Sequence, residues 1–323
     1  MKSQKDNIII GIDTSCYTTS VAALSLDEKV IFNNKVLLEV KKDSKGLRQS
    51  EAVFQHIKNM ELISKQIEAI EKNYKIAAVC VSSKPRPVKE SYMPVFIVGQ
   101  NFGKLLASII KCPIYETTHQ ENHIYASLLN NKIKNKNRFI SVHMSGGTTE
   151  ILLVQLNEFN EYNIEIIAKT NDISFGQLID RVGVQLGYGF PSGKYIDANA
   201  LKCSQKIEVG LKTSVKNGDM NLSGIENQIN KIIKDYSTEY ISKLVMDTIS
   251  RYLEKSLTYV CQKLDVDEVV FAGGVSASQY INKDLTYRLN KHNIKSYFTE
   301  AKYATDNAVG CAIVGKEKLL RQT

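Results

Sequence analysis

Twice in this chain an apolar, strand-like run enters a tight turn of small or hydroxyl residues and comes straight back as a second strand. The first pair is NIIIGIDTS (7–15) and TSVAALSL (19–26), followed by KVIFNNKVLL (29–38). A helix pattern then covers about 49–70, KIAAVCVSS (75–83) reads as a buried strand, and 95–110 as a helix. The plan restarts near residue 138. RFISVHMSGGTTEILLVQL reads as strand, Gly-Gly turn and strand, and YNIEIIAKT (162–170) as a third strand. Helices follow over about 175–187, 193–202 and 237–264, and DEVVFAGGVSAS (267–278) reads as strand, turn and helix start. Alternating strands and helices predict an α/β protein. The duplicated architecture predicts two similar lobes around a central cleft. The N-terminal lobe is expected over 1–130, completed by the C-terminal helix at about 304–323, and the C-terminal lobe over 131–303. The lysine-rich NNKIKNKN (130–137) is expected to link them.

Length supports two domains, since 323 residues divide into roughly two units of about 150. With 43% hydrophobic and 24% charged residues, the composition is that of a globular protein rather than a disordered or collagen-like chain. No apolar run approaches the roughly 18 residues of a membrane-spanning helix. The opening MKSQKDNIIIGID lacks the apolar core and cleavage site of a secretion signal. A soluble, cytoplasmic protein with no membrane partner is expected. The net charge of +8 favours polyanionic partners, although solvated lysines produce the same number. The six cysteines are scattered without a CxxC pair, which predicts buried, reduced thiols and no cysteine-based zinc site.

The sharpest local signal is His119-Gln120-Glu121-Asn122-His123. On a helix, positions i and i+4 share a face, and Thr118 followed by Glu121 fits a capping box that starts the helix there. Two neutral imidazoles at this spacing can chelate one divalent metal; the bland alternative is a pair of ordinary histidines. Gln120 replaces the glutamate of an HExxH protease motif. A carboxylate from elsewhere would complete a three-ligand site with open positions. The best candidate is Asp306 in ATDNA, expected to open the last helix, where it could equally be a cap. Ser145-Gly146-Gly147-Thr148-Thr149 has the glycines and hydroxyls to hold a phosphate. Gly11 to Ser15 is its weaker counterpart, and Gly273-Gly274-Val275-Ser276 could pack against a base or ribose. Each alone is also compatible with a plain turn.

Taken in order, GIDTSCYTTSVAAL, HQENH, SGGTTEILLV, GQLIDRVGVQLGYGFPSGKYID, NLSG, FAGGVSAS and ATDNAVGCA resemble the TsaD family across nearly the whole chain. These are the tRNA adenosine threonylcarbamoyltransferases, formerly called O-sialoglycoprotein endopeptidases. The resemblance implies the sugar kinase–Hsp70–actin-like fold. It implies an iron or zinc ion held by His119, His123 and Asp306, which would also be the catalytic residues. It also implies a pocket for an adenine nucleotide or threonylcarbamoyl-AMP along His143, Met144, Ser145, Gly146 and Gly147, with further contacts at Asp180, Gly193, Asp197 and Ser278. The implied reaction moves a threonylcarbamoyl group from its AMP anhydride to the exocyclic amine of the adenosine beside the anticodon, in tRNAs reading codons that begin with A. The implied partners are tRNA, a smaller same-fold paralog and a small ATPase. The chain departs from the family pattern at four places. A GPG-type loop is replaced by SSKPRPVKE (82–90), CDET by CYTT (16–19), an asparagine by Ser278, and SGGHT by SGGTT. These departures leave open a non-catalytic or regulatory paralog as one alternative, and an ATP-dependent kinase or carbamoyltransferase acting on a small molecule as another.

Overall fold

The computed structural model describes residues 5–15, 17–40, 47–159 and 161–322. Its strands are β1 Asp6–Ser15, β2 Thr18–Ser25, β3 Val30–Leu37, β4 Tyr74–Lys84, β5 Ile114–Thr118, β6 Arg138–Met144, β7 Thr149–Leu156, β8 Tyr162–Lys169, β9 Ser214–Lys216, β10 Asp219–Asn221, β11 Glu268–Ala272 and β12 Lys295–Phe298. Its helices are α1 Gln49–Glu71, α2 Val95–Ile110, α3 His119–Leu128, α4 Phe175–Gln185, α5 Gly193–Lys202, α6 Ser223–Ile232, α7 Thr238–Leu264, α8 Gln279–Asn290, α9 Ala301–Ala304 and α10 Val309–Gln322. The fold separates into two compact units, 1–129 with 306–323, and 130–305.

In the first unit the sheet order is β3-β2-β1-β4-β5, with antiparallel pairing on the β2–β3 side of β1 and parallel pairing on the β4–β5 side. Residues 8–12 of central β1 form an apolar run because both faces are covered, the pattern expected of a strand packed between layers. Ile8, Ile10 and Ile12 join a core with Val98 and Ala107 of α2. On the other face Gly11 meets Ala308 and the start of α10, where an added Cβ would lie 2.2 Å from the Ala308 oxygen. Edge strand β3 is half exposed.

The second unit repeats this order: β8-β7-β6-β11-β12, antiparallel on the β7–β8 side and parallel on the β11–β12 side. Its core gathers Phe175, Leu178 and Val182 of α4, Phe271 of β11 and the buried side of the 27-residue α7. The duplication read from the two strand–turn–strand openings is thus a duplication of sheet topology. The expected linker 130–137 contains a 3₁₀ turn, Lys132–Asn135, whose Ile133 is fully buried, so it is a packed segment and not a free tether. Of the cysteines, Cys80, Cys261 and Cys311 are buried as expected, whereas Cys112 and Cys203 are partly exposed; Cys16 lies outside the described residues. Among the described residues no helix is long and apolar enough to cross a membrane.

Candidate functional site

The capping box predicted at Thr118 is present. Thr118 Oγ1 accepts the Glu121 N–H at 3.1 Å, and Glu121 Oε2 accepts the Thr118 N–H at 2.7 Å. This fixes the first turn of α3, so His119 and His123 project from one face. Their Nε2 atoms lie 3.2 Å apart. Asp306 Oδ1 stands 3.3 Å from His123 Nε2 and 3.8 Å from His119 Nε2. Donors about 2.0–2.1 Å from one ion at tetrahedral angles would be about 3.3 Å from each other. The three side chains therefore have the spacing of donors that could share one divalent ion.

Asp306 does not open the last helix. That helix begins at Val309, and the cap is Asn307, whose Oδ1 accepts the Val309 N–H at 2.9 Å. Asp306 instead takes the Thr18 hydroxyl on Oδ2 at 3.0 Å, leaving Oδ1 toward the imidazoles. Asn122, between the two histidines in sequence, fastens this arrangement. Its Nδ2 donates to the Asn307 carbonyl at 2.6 Å, and its Oδ1 accepts the Cys311 N–H at 2.8 Å. The approach is so close that a Cβ on Gly310 would lie 1.8 Å from the Asn122 backbone carbonyl oxygen.

A second carboxylate stands behind His119. Asp13 on β1 is fully buried, lies 3.2 Å from His119 Nδ1, and accepts the Ser82 hydroxyl. Burial alone would raise the Asp13 carboxyl, but the charge and hydrogen bond of His119 and the Ser82 bond hold it below the usual range. Burial opposes a charged His119, yet Asp13 and Asp306 outweigh it and push the imidazole up to about 9. Burial likewise opposes a charged Asp306, and the His123 hydrogen bond and the two imidazole charges keep it well below the carboxylate range. A cationic charge is thus strongly favoured at this spot, whether a proton or a metal ion supplies it.

In the second unit, His143 and Met144 end β6, with His143 half-buried and Met144 buried. The next four residues close the β6–β7 hairpin. Gly146 and Gly147 are exposed, and a Cβ on either would meet nothing within 4 Å. No packing demands a glycine there, which fits a surface kept low for a ligand. The hydroxyl of Ser145 accepts the Gly147 N–H at 3.3 Å and the Thr148 N–H at 3.1 Å, so these two amides are turned inward. Asp180 accepts the Ser192 N–H at 2.7 Å, just before Gly193 opens α5. Asp197 and Ser278 meet each other. Ser278 donates its hydroxyl to Asp197, and the carboxylate also accepts the Gln279 and Tyr280 N–H groups at 3.0 and 3.1 Å. Both residues are therefore engaged in capping α8 (a favourable place for negative charge). The Gly11–Ser15 segment is interior strand rather than a ligand loop: Thr14 Oγ1 donates to the Val95 carbonyl and accepts the Gly99 N–H.

A family described as tRNA N6-adenosine threonylcarbamoyltransferase, TsaD, matches residues 30–313. The chain belongs to this family. Relatives named as this transferase include those of Caldicellulosiruptor saccharolyticus, 28% identical over 97% of this chain and 94% of the relative, and Thermotoga neapolitana, 27% identical over the same shares. Among solved structures, HypF from T. kodakarensis superposes with a TM-score of 0.66 at 11% identity; it covers 99% of this chain, which spans about half of HypF (48%). A ROK-family glucokinase from Streptomyces griseus gives 0.55 at 9% identity, covering 96% and 99% of the two chains. At such identities these neighbours show the fold alone, and it is the sugar-kinase-like fold that the TsaD resemblance implies.

Within the TsaD frame, motif reading found the histidine pair but missed what supports it. Asp13 gave only a faint signal, an acid inside an apolar run. Asn122 was hidden between the two histidines. The packing role of Gly176 was missed as well, and Gly273, read as part of a turn that could meet a base or ribose, also has a packing role. A Cβ on Gly176 would lie 2.5 Å from the Ser145 oxygen, and one on Gly273 (φ +91°) would lie 2.3 Å from the Met144 oxygen. These two glycines let α4 and the end of β11 press against the base of the Gly-Gly turn.

Proposed function

We propose that this chain transfers a threonylcarbamoyl group from threonylcarbamoyl-AMP to the exocyclic amine of the adenosine beside the anticodon, in tRNAs reading codons that begin with A. The observation that carries the reading is the convergence of His119 Nε2, His123 Nε2 and Asp306 Oδ1, 3.2 to 3.8 Å from one another, in a chain of the TsaD family. Two imidazoles and a carboxylate suit iron or zinc, and a divalent ion held there would supply Lewis acidity and a template for substrate oxygens. Asp13 accepts the Nδ1–H of His119 and thereby presents Nε2 as the donor atom. Thr18 holds one Asp306 oxygen and leaves the other for the site.

In the transfer itself, the adenosine amine attacks the carbamoyl carbon. A C–N bond forms, the bond from that carbon to the phosphate oxygen breaks, AMP leaves and the amine releases a proton. AMP is already a good leaving group, so positioning the two partners contributes more than a strong nucleophile would. At the Gly-Gly turn a ligand oxygen finds open space above Gly146 and Gly147. To bind the Gly147 or Thr148 amide it must compete with the Ser145 hydroxyl. The family also implies a separate enzyme that supplies threonylcarbamoyl-AMP. The smaller same-fold paralog and the small ATPase implied by the family would be further partners.

Mass spectrometry of tRNA nucleosides from cells depleted of the protein tests the reading. Threonylcarbamoyladenosine should fall and return with the wild-type gene. An unchanged level, with no second enzyme compensating, would reject it. Purified protein with its partners, threonylcarbamoyl-AMP and tRNA separates an enzyme from a non-catalytic partner, since only an enzyme shows sustained turnover. Nucleotide consumption without tRNA would instead point to small-molecule chemistry.

A further inference from the structure

At one end of α1 a side chain stands in for a strand. Leu38 donates its N–H to the Tyr17 carbonyl at 2.9 Å, and residues of an antiparallel strand alternate between facing their partner and facing away. Glu39, Leu37 and Asn33 therefore turn their backbone groups away from β2, on the side where the sheet order ends with β3. At Glu39 the Gln55 carboxamide of α1 meets both groups. Gln55 Oε1 accepts the Glu39 N–H at 2.8 Å, and Nε2 donates to the Glu39 carbonyl at 3.0 Å. Gln55 thus pairs as one residue of a neighbouring strand would. Farther along α1, Asn59, Ile63 and Gln66 share the face of Gln55 at 100° per residue. With Thr19, Val21 and residues 33–36 of β3 they enclose a groove of about 380 Å³, wholly within the first unit and inside the roughly 300–1,000 Å³ of ligand sites. One wall of it is fixed from behind. His56 is fully buried, its Nδ1 lies 2.8 Å from Thr19 Oγ1, and Asn59 Nδ2 donates to the same oxygen at 3.0 Å. Burial pushes the His56 ring below the ordinary histidine value, against the charge of Asp13 and the Ser15 backbone. A neutral ring takes the Thr19 hydroxyl proton on Nδ1, so the Thr19 oxygen holds the Asn59 N–H and leaves Asn59 Oδ1 to accept from a ligand.

We propose that this groove takes a short extended segment of a partner polypeptide, which adds to the β3 edge as Gln55 does at Glu39. Addition to a sheet edge is a recurring mode of peptide binding, in which main-chain hydrogen bonds give affinity and side-chain pockets give specificity. A peptide backbone carries donors and acceptors on both flanks. The groove answers with outward backbone groups of β3 on one side and the carboxamides of Asn59 and Gln66 on the other. Val21, Val36 and Ile63 supply an apolar floor for one aliphatic side chain. The lengths agree: Asn33 to Val36 is about 10 Å of strand, and Asn59 to Gln66 about 10 Å of helix. Lys35 stands on the same edge, and a charged edge residue opposes pairing of whole sheets, which favours a single inserted segment over a second copy of β3. The inference is independent of the transfer reading, since the groove shares no residue with the His119 centre.

A capped pentapeptide of alternating valine and threonine tests it, beside the same peptide N-methylated at its central residue. At millimolar concentration the first should bind in calorimetry and slow amide hydrogen exchange across residues 33–37. The N-methyl analogue keeps every side chain but loses a main-chain donor, and its binding should disappear. Gln66→Leu should weaken binding about 2- to 12-fold, the equivalent of about 0.5–1.5 kcal/mol for one hydrogen bond. Asn59→Leu should do the same. Because Asn59 also supports Thr19, its melting temperature is measured alongside, and Gln66→Leu carries the test if Asn59→Leu unfolds. Equal binding of the two peptides would overturn the proposal, as would unchanged exchange across 33–37, wild-type affinity in Gln66→Leu, or no binding of the first peptide at millimolar concentration. Saturable binding of maltose in place of the peptide would overturn it in favour of a sugar. Protection of 33–37 that grows with protein concentration alone would overturn it in favour of a second copy of this chain.

Discussion

Asp13, outside the candidate donor set, is a buried residue in contact with His119. A ligating imidazole is oriented by what its other nitrogen touches, and for His119 that partner is a carboxylate with no exposed surface. Asp13→Asn keeps the shape but removes the charge. It should lower affinity for zinc or iron about 10- to 100-fold in a chelator-competition titration while the fold is retained by circular dichroism; unchanged affinity would show that Asp13 does not support the site. His119→Ala should abolish binding of the roughly one ion per chain expected for the wild type, read by elemental analysis, because two donors remain where three are needed. Neither Asp13 nor the true setting of Asp306 was legible beforehand. His119 and Asp13 are 106 positions apart, and local pattern carries no information about pairing at that range.

Helices and strands were read well where a strong period or a cap marked them, as with α2 over 95–110 and the capping box of α3. The short strands β5 and β12 escaped notice, since five and four mostly polar residues carry no clear alternation. Glycines separate close packing from ligand access in a way that helix prediction cannot. Gly310→Ala must force α10 away from Asn122, and it should destabilise the protein by about 2 kcal/mol or more in urea unfolding. Gly147→Ala meets nothing and should stay within about 0.5 kcal/mol of wild type. Asp172 ties the loop after β8 to the start of α6 by accepting the Leu222 and Ser223 N–H groups at 2.8 Å each. Burial would raise its carboxyl, but these backbone bonds lower it below the ordinary value of 3.8. Its stabilisation is therefore present above about pH 3.8 and is lost as pH falls through the lower folded value. Asp172→Asn should unfold at lower urea than wild type at pH 7, and the gap should close in acid; a gap that persists unchanged at pH 2 would contradict this assignment.

Across the whole molecule, the last 18 residues, 306–323, belong with the first 129. Gly315 lies against Cys80 and Ile9, and Gly11 against Ala308, so α10 covers one face of the first sheet. A chain ending at residue 305 would leave that face bare and lack Asp306. It should show no cooperative melting transition for the first unit and no metal uptake; a cooperative, metal-binding truncation would refute this packing. The sequence alone determined the apolar runs, the duplicated strand–turn–strand plan, the helix start at Thr118 and the imidazole pair, because each is set by residues within a few positions of one another. Tertiary structure alone decided that Asn307 rather than Asp306 caps the last helix, that Asp13 backs His119, and that Asp197 and Ser278 cap a helix. Each of those outcomes depends on which distant backbone arrives beside a side chain, and close packing, not local preference, fixes that arrival.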